Sequence, residues 1–312
     1  MGNTRSYDFV ALSEENMHLL IGLYKKVFGR TYTLDQIKAK YQPLYTGLLA
    51  QGHFAFYEGK AIAFHGAIPM KMRYKDQIEL CAQYGDAMTI KSHNGKGLFT
   101  RLGELTDQVL IEKGVRFVWG FPNQNSEYGY VNKLNWKGNE RMQCYTFKLS
   151  SISTEVISRK TKVLEKQMQE RIRNRLKKHL VEKVDLHSID TKMYGGIDRS
   201  AAFYRYKSFS PNYFILLNGT KAWIKPVGGL LVGDLAVKSE EQVFAAVKDL
   251  KKLARSIGLN KLVIQASPKS QLNQILKTKY SPTDSWLIGY KDFNSDLPLD
   301  QLQFTYGDLD TF

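Results

Sequence analysis

The feature that most constrains this chain is a glycine turn set between a strand and a long helix. The strand-like run Glu79–Ile90 gives way to Lys91-Ser92-His93-Asn94-Gly95-Lys96-Gly97. Leu98–Lys113 then carries Leu102, Leu105, Val109 and Ile111 on an apolar side, and Val115–Phe121 reads as a second strand. Strand, helix and strand in that order form a crossover, which lays the two strands parallel. The turn itself is suited to an anion. Unpaired N–H groups leave the first helical turn, and the helix dipole adds to them. Gly95 and Gly97 allow tight bending and close approach of a ligand, and Lys96 adds charge. A pyrophosphate fits such a site. The competing reading is a plain strand-to-helix turn that happens to use glycine. The P-loop pattern is absent, and the dinucleotide fingerprint fails because Leu98 follows Gly97.

The elements around this unit extend the pattern. Residues 7–12 read as a strand. Met17, Leu20, Tyr24 and Val27 mark one face of a helix ending near Gly29, and Leu34–Tyr45 reads as a second helix. Two hairpins follow, 54–69 about Gly59 and 70–90 about Lys75-Asp76. After the second parallel strand come a short helix, Ser126–Leu134, and a strand, Met142–Leu149. Beyond residue 200 the order returns: strands 214–218, 221–225 and 228–237, helix 240–257, strand 261–266, helix 269–280 and strand 286–291. Phe304–Phe312 reads as a closing strand or tail. Gly233-Asp234 stands where Gly85-Asp86 stood, and the Gly-Lys-Gly turn is missing. The expectation is a degenerate internal repeat: a first domain over 1–150, a basic connecting helix over 151–185 and a second domain over 186–312.

Charge and cysteine content narrow the setting. Net charge is +15, which favours polyanionic partners without choosing among them. In the Lys- and Arg-rich stretch 152–183, Leu164, Met168, Ile172, Leu176 and Leu180 recur every fourth residue. One packed face on a solvated helix follows, with a polyanion-binding surface as the alternative. Cys81 and Cys144 can form neither a disulfide framework nor a metal-ligand set, so no metal is expected and a reduced, cytoplasmic setting is. No apolar run nears the ~18 residues of a membrane span, so none is expected. The N-terminus lacks an apolar signal core.

The run Asn94-Gly95-Lys96-Gly97-Leu98-Phe99 resembles the Arg/Gln-x-x-Gly-x-Gly/Ala hallmark of the GNAT acyl-CoA N-acyltransferases. Phe121-Pro122-Asn123-Gln124-Asn125-Ser126 and Tyr130–Trp136 resemble that superfamily's next strand and helix. The likeness covers residues 7–150 and extends weakly through the repeat. It implies a mixed α/β sheet flanked by helices, in two GNAT-like domains, with acetyl-CoA as co-substrate. The residues implied to hold it are Met88, Thr89, Ile90, Asn94, Gly95, Lys96, Gly97, Leu98, Phe99, Asn123 and Asn125. Four positions depart from the family's pattern. Asn94 replaces Arg or Gln, Phe99 replaces a small residue, Asn135 stands where glycine is common, and the family's tyrosine register falls on Val131.

Acyl transfer to an amine needs a proton acceptor for the amine and a donor for the thiolate. Asp86 is the candidate base, with Glu79 and Glu127 in reserve, and Tyr130 or Tyr128 the candidate acid. Each has a structural counterpart: Asp86 as a turn carboxylate, the tyrosines as packing, and Asn123 and Asn125 as caps for the next helix. His65 reads as a core histidine and His93 as a solvated loop residue. The expected activity is acetyl transfer from acetyl-CoA to a small or peptide amine. The rivals are a Fem-type aminoacyl transferase using charged tRNA, and a non-catalytic acyl-CoA-sensing or nucleic-acid-binding module.

Overall fold

The computed structural model describes residues 6–150, 162–182, 186 and 188–312. In chain order the first half contains β1 (Asp8–Ala11), α1 (Leu19–Phe28), α2 (Leu34–Tyr41), β2 (Gln51–Tyr57), β3 (Lys60–Tyr74) and β4 (Gln77–Thr89). It continues with α3 (Leu98–Glu112), β5 (Phe117–Gly120), α4 (Glu127–Lys133) and β6 (Lys137–Lys148). The second half contains α5 (Lys162–Leu176), β7 (Gly196–Ile197), α6 (Ala201–Lys207), β8 (Tyr213–Leu217), β9 (Thr220–Pro226) and β10 (Leu230–Leu235). It closes with α7 (Glu240–Ser256), β11 (Lys261–Ala266), α8 (Gln271–Leu276) and β12 (Thr283–Asp292).

These elements form two compact units that interleave along the chain. The first comprises residues 1–139, 197–209 and 286–301; the second comprises 140–196, 210–285 and 302–312. The boundaries expected at 150 and 186 therefore shift, and the reason is pairing between distant segments. Within the first unit β12 closes the sheet against β5, Gly289 to Asp292 facing Gly120 to Phe117 in antiparallel register. Also within it, α6 lays Phe203 and Tyr206 against Tyr45, and the Tyr206 hydroxyl donates to the Lys40 carbonyl at 2.8 Å.

Local signals set most elements. Gly29, at φ 64°, ends α1: its N–H donates to the Lys25 carbonyl and the Arg30 N–H to the Tyr24 carbonyl. Thr33 and Gln36 form a reciprocal cap that starts α2, which stops two residues before Pro43. The expected break in the hairpins at residue 69 is absent: β3 is one 15-residue strand. Pro69 is tolerated there because the β2 ladder ends at Ala67, so that edge requires no N–H from the proline.

The first sheet runs β1-β2-β3-β4-β5-β12, antiparallel except for the parallel pair β4–β5. The second runs β8-β9-β10-β11-β6, antiparallel except for β10–β11. From β2 to β12 and from β8 to β6 the order and senses agree. In each unit the last strand is drawn from the other half of the chain.

Helix α5 belongs to the second unit's core. Met168, Ile172 and Leu176 are buried among Leu217, Ile224, Val247 and Leu250, whereas Leu164 and Leu180 of the same stripe are exposed. Three such buried side chains are worth roughly 1.5–3 kcal/mol each, enough to dock a helix whose other faces are charged. Residues 151–161 and 183–185 of the expected connecting helix lie outside the described residues, and the helix ends at Leu176 in a 3₁₀ turn, Lys177–His179. The C-terminal segment 304–312 forms a short 3₁₀ turn instead of a strand, with Phe304 and Phe312 buried.

Candidate functional site

A bulge in β4 shapes the site. Phe64 faces Met88 and Gly66 faces Gly85, so Asp86 and Ala87 together oppose His65. Asp86 takes the extra residue's conformation, with φ 58°. Its neighbour Tyr84 points to α3, where its hydroxyl donates to Asp107 Oδ1 at 2.7 Å. Strict alternation would send Asp86 the same way. The bulge turns it to the α2 side instead. There Lys40 Nζ lies 2.5 Å from Asp86 Oδ2, and the Tyr41 hydroxyl donates to the same oxygen at 2.8 Å. Tyr24 completes the group, 3.3 Å from the Tyr41 hydroxyl and 3.4 Å from Lys40 Nζ. Burial pushes the Asp86 carboxyl up; the Lys40 ammonium and the hydrogen bonds from Lys40, Tyr24 and Tyr41 outweigh it and hold the group below its ordinary range.

Beyond the bulge the parallel strands part. β4 and β5 pair at Ala82–Val118 and Gln83–Trp119. β5 ends at Gly120 while β4 continues to Thr89. Among the described residues no strand covers the β5-side edge of β4 past Tyr84.

The glycine turn follows directly. Ile90 and Asn94 are extended, Lys91–His93 make one 3₁₀ turn, and Gly95 and Gly97 sit at φ 74° and 73°. Gly97 is the N-cap of α3 and offers no side-chain acceptor. The N–H groups of the first helical turn are therefore left for another partner. No atom lies within 4 Å of where a Cβ would stand at Gly95 or Gly97. Asn94, Gly95, Lys96 and Gly97 are exposed, while Leu98 and Met88 are buried and contribute backbone only. Thr89 and Ile90 are half-buried. A left-handed glycine at a bare helix start, beside an unpaired strand edge, can hold an elongated anion with an amide-bearing arm.

The sequence of this region matches the model of the acetyltransferase (GNAT) domain over residues 8–138. Residues 8–138 are a GNAT domain. Solved structures resemble the whole fold. A conserved Enterococcus faecalis V583 protein of unknown function, described as a probable N-acyltransferase, superposes with a TM-score of 0.60 at 11% identity, covering 93% of this chain and 73% of that one. A GCN5-related N-acetyltransferase from Anabaena variabilis ATCC 29413 gives 0.57 at 12% identity, covering 93% and 73%. One from Kribbella flavida gives 0.56 at 10%, covering 93% and 72%. Likeness at this identity speaks to fold alone. No curated protein matches the sequence.

Within the GNAT domain the other candidates fall into separate groups. Tyr130 is buried, its hydroxyl 2.8 Å from His65 Nε2, with Tyr84, Phe99 and Trp136 packed around its ring. Burial lowers the His65 imidazole to about 3, so the ring is neutral at ordinary pH. His65 is thus the core histidine expected, with the added role of holding Tyr130. Tyr128 is 64% exposed, with Lys133 near its ring. Asp86 and Tyr130 belong to different hydrogen-bond groups, one on the α2 side of the sheet and one on the α3–α4 side. The departure at Phe99 has a local compensation. Its ring stacks on His65 and fills the space over Gly129, where a Cβ would come within 2.7 Å.

Asn123 and Asn125 are exposed at the start of α4. Asn123 Oδ1 accepts the Asn125 N–H at 2.9 Å, and its carbonyl accepts from Ser126 and Glu127. His93 is held by the Tyr7 hydroxyl at 3.0 Å and lies beside the Tyr57 ring. The Glu79 carboxylate accepts from the Ser295 hydroxyl and the Asp296 N–H. Lys40 and Tyr41 escaped the sequence reading. Their signal was Ile37, Lys40 and Tyr41 at i, i+3 and i+4 on α2, which places the lysine on the buried face.

The second unit repeats the bulge with different chemistry. Register slips between Val232 and Asp234 on β10, opposite β9. The buried Asp234 accepts backbone N–H groups, from Ser188 at 3.1 Å and Leu235 at 2.8 Å. α7 begins at Ser239, whose hydroxyl caps the Gln242 N–H. Among the described residues no cluster of three or more His, Cys, Asp or Glu side chains could hold a metal ion. None of the described helices is long and apolar enough to cross a membrane.

Proposed function

We propose that the GNAT domain binds acetyl-CoA at residues 94–99 and transfers its acetyl group to an amine. The observation that carries this reading is the pair of left-handed glycines, open space over both, at an α3 start that has no side-chain cap. The pyrophosphate would sit over the backbone of residues 95–99, with Lys96 as counter-charge. The amides of the pantetheine arm would run along the uncovered edge at Met88, Thr89 and Ile90, with Asn123 and Asn125 across from them at the end of β5.

In this reading the amine lone pair attacks the thioester carbonyl carbon, and the C–S bond breaks as the tetrahedral adduct collapses. The thiolate takes a proton from the Tyr130 hydroxyl, which the neutral His65 orients; Tyr128 is the solvent-facing alternative. The amine's proton passes to water or to Asp86. Its pairing with Lys40 makes Asp86 a weak base, so holding the bulge is its stronger contribution, and proximity supplies much of the rate.

Calorimetry tests the cofactor site. Acetyl-CoA should bind with one molecule per chain, and Gly97→Val should abolish measurable binding in a protein that remains folded. Unchanged affinity in folded Gly97→Val would overturn the assignment. A screen of amines with free thiol as readout would then identify the acceptor class.

A further inference from the structure

Helix α5 places one face in the second unit's core and leaves a basic surface outside. Met168, Ile172 and Leu176 are buried. Between Lys166 and Lys178, six Lys or Arg residues stand against a single acid, Glu170. All six are exposed. Lys166, Arg171, Arg173 and Arg175 lie on α5, and Lys177 and Lys178 carry its line on into the 3₁₀ turn that follows, so that two rows form. Arg171, Arg175 and Lys178 follow one another at i, i+4 and i+7 on one flank, while Lys166, Arg173 and Lys177 line the other. Two shallow depressions adjoin along it, one lined by Gln167, Glu170, Arg171, Asn174 and Arg175, the other by Asn174, Arg175, Lys177 and Lys178.

We propose that this surface docks on duplex DNA, with the two rows taking phosphates on either side of the major groove. Its length supports this: ten α-helical steps at ~1.5 Å and two 3₁₀ steps at ~2.0 Å give ~19 Å, about half a turn of duplex. The B-form major groove, ~12 Å wide, admits a helix, whereas the A-form RNA major groove is too narrow. Single strands are held through exposed aromatic platforms, and residues 162–178 contain no aromatic side chain. A helix lying on a membrane must offer its apolar face to lipid, and here that face is in the protein core. Gln167 and Asn174, standing among the arginines, can meet base edges or phosphates equally well. The surface lies apart in sequence from the acetyl-CoA turn, so the proposal stands or falls independently of the transferase reading.

The test is fluorescence anisotropy of the full chain with a labelled DNA duplex of about 20 base pairs, titrated from about 50 to 200 mM salt. Engagement of four or so phosphates predicts a log–log slope of about −3.6. The variant Arg171→Gln/Arg175→Gln/Lys178→Gln should reduce the slope by about 2–3 and weaken binding at least ~10-fold at the same salt. A control, Lys25→Gln/Lys26→Gln/Lys113→Gln, removes the same charge from exposed positions of the first unit and should change the slope far less. Amide exchange on the unmodified chain should slow over 162–178 when DNA is added, which needs no substitution. Equal loss in the control, no protection of α5, or tighter binding to an equal-length RNA duplex or to phosphatidylserine vesicles would each overturn the assignment. Unchanged acetyl-CoA binding in the α5 variant is expected and keeps this result separate from the fate of the cofactor site.

Discussion

The two units share one strand order and one bulge, and differ in what stands at the bulge and after it. In the first, Asp86 is turned to the α2 side and clamped by side chains, Lys40 and Tyr41. In the second, Asp234 is buried and clamped by backbone, the N–H groups of Ser188 and Leu235. The first unit's next helix opens on a bare glycine at φ 73°, whereas the second's opens on Ser239, which spends its hydroxyl on the helix's own N–H. One topology therefore supports an open, donor-rich helix start and a closed, self-satisfied one. The sheet does not decide which; the residues at the helix start do.

The largest effect should come from separating the two carboxylates' modes of support. Lys40→Met leaves Asp86 buried without its counter-ion and should cost about 3–5 kcal/mol of stability. Lys40→Met/Asp86→Asn should recover a large part of that, measured by urea unfolding. Because the Asp86 carboxyl is lowered in the folded state, its contribution is present above the unfolded value near pH 4 and disappears as pH falls through the lower folded one.

His65 gives the first unit a second pH dependence at a higher range. Its folded value, about 3, lies below the ordinary 6.5. Protonation therefore favours the unfolded chain, and stability should be lost as pH drops from about 6.5 toward 3, at up to ~1.4 kcal/mol per pH unit. His65→Gln should flatten that slope while stability near pH 8 falls less. A profile identical in wild type and His65→Gln would show that the histidine is not buried neutral. Tyr130→Phe belongs beside it: turnover should fall ~100- to 10,000-fold with acetyl-CoA affinity nearly intact if Tyr130 is the acid. Tyr128→Phe decides between the two tyrosines.

How much of this was legible in the sequence depends on whether its cause was local. The Gly95-Lys96-Gly97 turn was, because only a backbone that must visit positive φ at a helix start recruits glycine in that pattern. The order of elements was, because apolar periodicity is local too. The partners of β6 and β12 were not. A strand's sequence specifies which face is buried and says little about which distant edge it joins, so 286–301 was assigned to the wrong unit. Asp86 was placed in the right strand but on an unforeseen side, because a bulge is a slip in register between two strands and leaves only Gly85-Asp86 as a trace. Lys40 was missed because a lysine in an amphipathic helix reads as solvent-facing until its carboxylate partner is known. The stripe of α5 was read correctly at Met168, Ile172 and Leu176 and failed at its ends, Leu164 and Leu180.

The smallest expected effect tests the closed helix start directly. Ser239→Ala removes the hydroxyl that accepts the Gln242 N–H and should cost about 1 kcal/mol, the usual worth of such a cap. It also leaves the α7 start as bare as that of α3, without supplying glycines at positive φ or an exposed lysine between them. If free N–H groups at the helix start were enough to hold the pyrophosphate, Ser239→Ala would gain a second, weak acetyl-CoA site. The turn chemistry argues otherwise: Gly95 and Gly97 enter α3 in left-handed conformations, at φ 74° and 73°, whereas Val237-Lys238-Ser239 enters α7 extended at the cap, with Ser239 at φ −150° and ψ 165°. Stoichiometry should therefore stay at one per chain in Ser239→Ala, with only a small drop in thermal midpoint. A stoichiometry rising toward two would mean that removing a cap is sufficient to make a cofactor site on this sheet, and that the glycines of the first unit serve the fold more than the ligand.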